Sequence, residues 1–496
     1  MGSLVHVISS LTDARYGVNI LEVSPPAGVA GAGTNVVAVV GNFPWGPVDA
    51  VTTITSPAEL YDTLCPNAFG AIDSFPAMKA FLNKTFPSLV KVVRISPSGQ
   101  ATATAVFNDG GGSPAPSVDV SAKYAGSLGN SIKVAWAVNA DDATARDATV
   151  TIGTLYSVTY KSVATIVASA LVVTDPGDPY VTFAKHSAAT LVPAAVAATS
   201  LASGADGTAV SGDYTGAMDL FADASVAFDV GFVAEPESGV IAAVNVAMKT
   251  FQDTYQKGIW VASTPASQSA SAAKTAVALT RSDRVVYPWP RVKTINAYDP
   301  NQAEITVDGA AFAAVAIASV DPEVSPGGAP GAPALRGIVG VEQGASLLSL
   351  KDLNDNGVSP FMMSDALEGA ILHNCLTTTL VAGKTRVFRR RMTDYITKSI
   401  AAFLERFVGN PLDINISTRT LGPITGPEIA TVRQFLSDLK VANRIVDYSI
   451  DEFSANLASN IADGTWIILG AVRLVSAQEA IVFQAQIGEA VEIAAA

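Results

Sequence analysis

Asn35-Val36-Val37-Ala38-Val39-Val40-Gly41, continued by Asn42-Phe43-Pro44-Trp45-Gly46-Pro47, is the stretch on which the fold class turns. Its apolar residues run without polar alternation. A strand with one wet face would alternate, so this one reads as covered on both faces. Pro44 to Pro47 then reads as a turn. A second strand pattern covers 51–55. Ser56-Pro57 with Glu59 opens a helix, because Pro suits the first turn. Residues 75–86 have amphipathic helical spacing, and 89–95, LVKVVRI, is the next strand. Strand, helix and strand in this order predict an α/β core.

Working outward, residues 1–24 read as an arm. Val18, Ile20, Leu21 and Val23 lie in a short strand pattern closed by Ser24-Pro25-Pro26. The arm offers it no hairpin partner, so its backbone must find another sheet edge. Residues 100–200 are rich in Thr, Ala, Val and Ser. Strand patterns at 118–122, 132–138, 149–152, 157–160 and 181–183 predict an inserted β-sandwich or barrel, left through a small-residue linker at 202–213. Alternation of strand and helix returns over 214–340: strands at 229–233, 259–262 and 284–287, helices at 238–255 and 266–279, and an Ala-rich buried helix at 309–320. Residues 325–333, SPGGAPGAP, are a loop by composition.

The strongest helix signal begins at Arg386. Phe388, Met392, Tyr395, Ile396, Ile400, Phe403, Leu404 and Phe407 keep a 3.6-residue period for about six turns, until Gly409-Asn410-Pro411 stops it. Gly426-Pro427-Glu428 opens another helix through Leu439. Strand patterns follow at 445–450, 466–475 and 481–487, the last carrying Ile481, Phe483, Ala485 and Ile487.

The 496 residues allow about three domains. Charged residues are 15% of the chain against a typical ~25%, so small polar residues or other subunits must cover much of the surface. A formal net charge of −13 argues against a nucleic-acid-coating protein. The first eight residues lack the basic start of a secretory signal, and no apolar run reaches membrane-spanning length. The expectation is a soluble protein made in the cytoplasm, without membrane insertion. Cys65 and Cys375 are far apart and unaccompanied, which excludes a zinc site or a disulfide-rich scaffold.

Motifs for chemistry fail on inspection. Gly31-Ala32-Gly33 lacks the third glycine of a dinucleotide fingerprint, since Val36 stands there, and it precedes a strand instead of following one. Gly383-Lys384-Thr385 resembles a phosphate loop whose first glycine is replaced by Thr378. Asp352, Asn354, Asn356 and Gly357 match half a calcium loop, but Met363 replaces the closing Glu; caps and a left-handed glycine explain the cluster better. His6, His186 and His373 lack metal spacing. No catalytic, cofactor or metal residue is assigned. Lys384, Arg386, Arg389, Arg390 and Arg391 do cluster in this acidic chain. They read either as a solvated helix face or as a contact for an acidic patch on a neighbouring subunit.

GVNILEV at 17–23, VAVVGNFPWGP at 37–47, KYAGSLGNSIKV at 123–134, DYTGA at 213–217 and LNDNGV at 353–358 together resemble the contractile phage tail sheath family. Gly17-Val18-Asn19-Ile20-Leu21-Glu22-Val23 resembles its PGVYIEEV-type arm, with Tyr16 in place of the Pro. Residues 37–47, VAVVGNFPWGP, are the most family-like run. KYAGSLGNSIKV at 123–134 is similar to the family's KYPGxxGN element, DYTGA at 213–217 to its DYTGALD segment, and LNDNGV at 353–358 to its LNxxGVN motif. The resemblance implies an α/β (α+β) multidomain chain. An arm (1–24) precedes a core domain formed by both chain ends (25–99 and 341–478). A β domain (100–212) and an α/β domain (213–340) are inserted, and a C-terminal strand or arm (479–496) follows. It also implies a structural subunit, not an enzyme, stacked in hexameric rings around a tail tube. Contraction would drive the tube through a host envelope for genome delivery.

The implied location is a virion tail. The implied partners are copies of the chain, the tail tube protein, and baseplate and tail terminator proteins, with no cofactor. Val18, Ile20, Leu21, Val23, Ile481, Phe483, Ala485 and Ile487 would exchange strands between subunits. Asp451, Glu452 and Asp463 are preferred over the Arg cluster for touching the tube by charge. Cys65 and Cys375 are either two inert buried thiols or an inter-subunit disulfide formed once the particle leaves the reducing cytoplasm. The same architecture in a headless particle is the nearest rival reading; an α/β enzyme with a β insert is the remote one.

Overall fold

The computed structural model describes residues 5–8, 18–21, 35–69, 89–295, 304–423 and 425–476. Contacts divide the chain into two units, Gly33–Arg391 and Met1–Ala32 with Met392–Ala496.

In the larger unit, Val36–Gly41 lies inside an eight-stranded sheet. The strand order is Gly369–Leu372, Val358–Ser364, Val285–Trp289, Ile259–Val261, Val230–Ala234, Val36–Gly41, Leu89–Arg94 and Thr52–Ile54. The six middle strands are parallel, and the two outermost are antiparallel to their neighbours. The unbroken apolar run has a direct cause. Val37 and Val39 join the apolar cluster on one face, with Leu60, Leu64 and the helix Ala310–Ser319. Ala38 and Val40 join the other, with Tyr214, Met218, Val244, Met248 and Val277 from three helices. Neither face meets water, so both sets of alternate residues are apolar. The Ala-rich helix is buried from Ala310 to Ala318, as expected.

Strands from 25–99, 213–340 and 341–478 lie side by side in this one sheet. Val37 pairs with Val230, and Tyr287 pairs with Val358. Parallel neighbours are joined by long crossovers, so strand partners need not be close in sequence. The expected helix at 75–86 lies outside the described residues.

Residues 98–208 form the β insert. Its neck is the antiparallel pair Ser98–Ala101 and Ala205–Thr208. Beyond it, a five-stranded sheet and a three-stranded sheet enclose Trp136, Phe107, Phe183 and the alternate residues Ile132, Val134, Val150 and Ile152. This is the sandwich alternative of the sequence reading.

The smaller unit holds the long helix Val387–Leu404 from Met392 onward, and Thr425–Val441 follows. Met392, Ile396 and Phe403 pack with Val432, Phe435, Leu436 and Leu439, while Tyr395, Ile400, Leu404 and Phe407 are partly buried against them. These are the periodic positions named above. Gly409, at φ +98°, follows the helix end. The antiparallel strands Ile445–Asp451 and Leu469–Leu474 complete this part.

Candidate functional site

The motif-like clusters are structural in the observed geometry. The half calcium loop is the end of the helix Leu347–Asp355. Asp352 pairs with Lys274 at 2.6 Å, and Asp355 with Lys351 at 2.6 Å. Asn356 Nδ2 donates to the Asp352 carbonyl at 2.8 Å, and Gly357 turns the chain at φ +80°. Asn354 and His373 Nδ1 are 2.9 Å apart. Burial moves the His373 pKa below its ordinary value. Residues 377–385 form a closed loop: Thr377 N–H reaches the Thr385 carbonyl at 3.0 Å and its hydroxyl the Lys384 carbonyl at 2.8 Å. His186 pairs with Asp119 at 2.9 Å on the insert. Among the described residues, no three His, Cys, Asp or Glu side chains converge as a metal site.

The Arg cluster is not one surface patch. Arg391 is buried and donates through Nη1 to the Val320 carbonyl at 2.9 Å. Arg390 and Lys384 share Asp283, at 3.6 and 3.7 Å. Arg386 and Arg389 are half-buried and also engaged. The periodic pattern reported charge at the start of a helix; it carried no information on the carboxylates and carbonyls that would fold against it.

The acidic segment also divides. Glu452 is buried and paired with Arg433. Asp451 accepts the N–H groups of Phe453 and Ser454, both at 2.9 Å. Bonds from Ser454 and then Phe453 hold its carboxyl down at about 2. Asp463 ends the helix Ala458–Ala462 and is exposed.

Both thiols lie inside the apolar cluster on one face of the central sheet. Burial pushes each up to about 12, against nearby guanidinium groups. Burial therefore suppresses thiolate formation, which favours the inert-thiol alternative over the inter-subunit disulfide.

The strand Val18–Leu21 is not alone. It pairs in parallel with Val5–Ile8, Val18 opposite Val5 and Leu21 opposite Ile8. The partner is not a hairpin neighbour but a parallel strand, which needs a longer connection. Val23, Ile481, Phe483, Ala485 and Ile487 lie outside the described residues. The pair Ile445–Asp451 and Leu469–Leu474 has no third strand among the described residues. An apolar groove of about 480 Å³ lies beside it, lined by Ile396, Ile400, Leu436, Ile450, Val472 and Leu474 among others.

One organising residue was missed. Arg94 ends the strand Leu89–Arg94 and is 1% exposed. Its Nε donates to the Phe43 carbonyl at 2.6 Å, Nη1 to Gly46 at 2.8 Å and Nη2 to Ala125 at 2.7 Å. The guanidinium thus ties the turn after the central strand to the entrance of the β insert. Trp45 packs beside it on Phe69, Tyr124 and Tyr180, with ring centroids 4.8, 5.4 and 6.1 Å away. Burial lowers the Arg94 pKa to about 10, and the Asp206 carboxylate opposes this, so it is cationic at neutral pH. The available signal was a lone Arg closing an apolar strand beside two turn motifs.

This combination of a doubly covered parallel sheet, a β insert and a helical C-terminal unit is the fold of contractile tail sheath proteins. A sheath tail protein from Listeria innocua matches at TM-score 0.61 and 16% identity, over 89% of this chain and 96% of its own. One from Desulfitobacterium hafniense matches at 0.60 and 16%, over 92% and 100%. The contracted helical sheath of the anti-feeding prophage matches at 0.58 and 13%, over 97% and 99%. No family model and no curated protein matches the chain.

Proposed function

We propose that this chain is the repeating subunit of a contractile tail sheath, with a structural and not a catalytic role. The observation that carries the reading is the likeness to sheath proteins along nearly the whole of both chains. In this reading subunits stack as hexameric rings around a tail tube, bounded by baseplate and terminator proteins. Shortening of the sheath drives the tube through a host envelope and delivers a genome. The likeness to an anti-feeding prophage sheath also supports a headless contractile particle as the second reading.

Linkage between subunits would use strand addition. The two-stranded sheets at 5–21 and 445–474 each have edges without a ladder partner among the described residues. Backbone hydrogen bonds across such edges tolerate varied side chains. The arm strand with Val18, Ile20, Leu21 and Val23, and the segment with Ile481, Phe483, Ala485 and Ile487, are the donors in this proposal. Asp463, with Asp451, is the proposed tube contact. Negative-stain microscopy of the purified chain tests the reading: striated tubes or rings support it, and discrete particles that never polymerise count against it.

A further inference from the structure

Glu235, Arg291 and Asp308 meet where parallel strands of the central sheet end. Glu235 follows Val230–Ala234, Thr264 lies beyond Ile259–Val261, and Arg291 lies beyond Val285–Trp289. Asp308 stands just before the helix Ala310–Ser319. Asp308 Oδ1 accepts the Thr264 and Ala310 N–H groups at 3.1 and 3.3 Å. Its Oδ2 is buried without a hydrogen-bond partner among the described residues. Both oxygens of Glu235 are engaged: Oε1 accepts the Asp308 N–H at 2.6 Å, and Oε2 the Arg291 guanidinium at 2.8 Å. Arg291 Nη1 points to the Thr264 carbonyl at 3.4 Å. One cation therefore serves two carboxyl groups and is aimed at only one of them.

Among the described residues Tyr287 is a further ionisable neighbour, and its hydroxyl donates to Gln268 Oε1 at 3.0 Å. Nothing in this set neutralises a second negative charge. A buried carboxylate without its own cation takes up a proton instead.

We propose that Asp308 is a proton-binding site of the folded chain, its Oδ2 carrying a proton that Glu235 and burial retain. The protonated corner joins the ends of three strands to the helix Ala310–Ser319; loss of the proton leaves an uncompensated charge inside that junction. Burial first, and the Glu235 carboxylate second, push the Asp308 carboxyl from the ordinary 3.8 up to about 7, with Arg291, the Thr264 N–H and the Ser263 side chain opposing. Between these values the folded chain holds one proton more than the unfolded chain. The resulting stabilisation is complete below the lower value and is lost as pH rises through the upper one. The unfolding constant accordingly rises about tenfold per pH unit inside this window on account of Asp308. His373, lowered by burial, contributes with the opposite sign.

Equilibrium unfolding of the full chain from pH 5.5 to 8.5 tests this, with Asp308→Asn compared at each pH. The expected result is a wild-type midpoint that falls relative to the variant as pH rises, and a variant at least as stable at pH 8.5. Parallel profiles for the two proteins overturn the proposal. Where the variant does not fold, infrared spectroscopy of native protein carrying carboxyl-labelled aspartate decides. A protonated aspartate band present at pH 6 and lost at pH 8.5 supports the proposal; its absence at pH 6 overturns it.

Discussion

Replacing Arg94 by Met keeps the unbranched apolar stem of the side chain and removes every donor. Three short bonds disappear, at 2.6, 2.7 and 2.8 Å, to the carbonyls of Phe43, Ala125 and Gly46. A hydrogen bond involving a charged group contributes about 1.5–3 kcal/mol, so three amount to roughly 5–9 kcal/mol. The variant no longer bears the cost of burying a guanidinium, which offsets several kcal/mol of that. Carbonyl oxygens left without donors limit the recovery. The expected net loss is about 3–5 kcal/mol, in line with breaking a buried charged network. Because the three carbonyls lie on both sides of the joint, the loss should be read in two places. Denaturant unfolding should show a lower midpoint. Hydrogen exchange should show faster opening of the insert neck, Ser98–Ala101 and Ala205–Thr208. Arg94→Lys retains the charge without the planar fork and should fall between. A Met variant within about 1 kcal/mol of wild type, with an unchanged neck, would refute the assignment of Arg94 as the brace.

Gly46 sits at φ +102°, and a Cβ there would lie 2.8 Å from the Thr63 carbonyl oxygen; Gly46→Ala should cost about 1–3 kcal/mol in the same unfolding assay. Both thiols should resist alkylation in the native state and react on unfolding, with only monomers on non-reducing electrophoresis of assembled particles. Deleting residues 1–24 should abolish polymers while circular dichroism and the unfolding of the remainder stay unchanged. Charge reversal at Asp463 should release sheath from tube at low salt, where exposed charges are least screened.

Elements whose cause is local were legible from the residues. Val36 to Val40 shows two covered faces because each face places its own demand on alternate positions. The long helix shows one covered face, and Met392, Ile396 and Phe403 fall on it. Strand order was not legible, since Val37 meets Val230 through a pairing that no local pattern records. Charge was visible but its use was not. Arg391 and Glu452 look like surface groups in the sequence, and both are buried against partners that only the fold supplies. Asp308 gave no signal at all, being one carboxyl before an Ala-rich helix. The arm strand was seen as needing a partner, and its first one proved to be Val5–Ile8.

In the proposed sheath, copies of this chain are linked through strand edges. Helical reconstruction of tubes grown from the purified chain addresses it most directly. The expected map shows at least one added strand beside Ile445–Asp451 or Leu469–Leu474, with density continuous with a terminal arm of a neighbouring subunit. Tubes in which that sheet stays two-stranded, with both terminal segments retained by their own subunit, would contradict it.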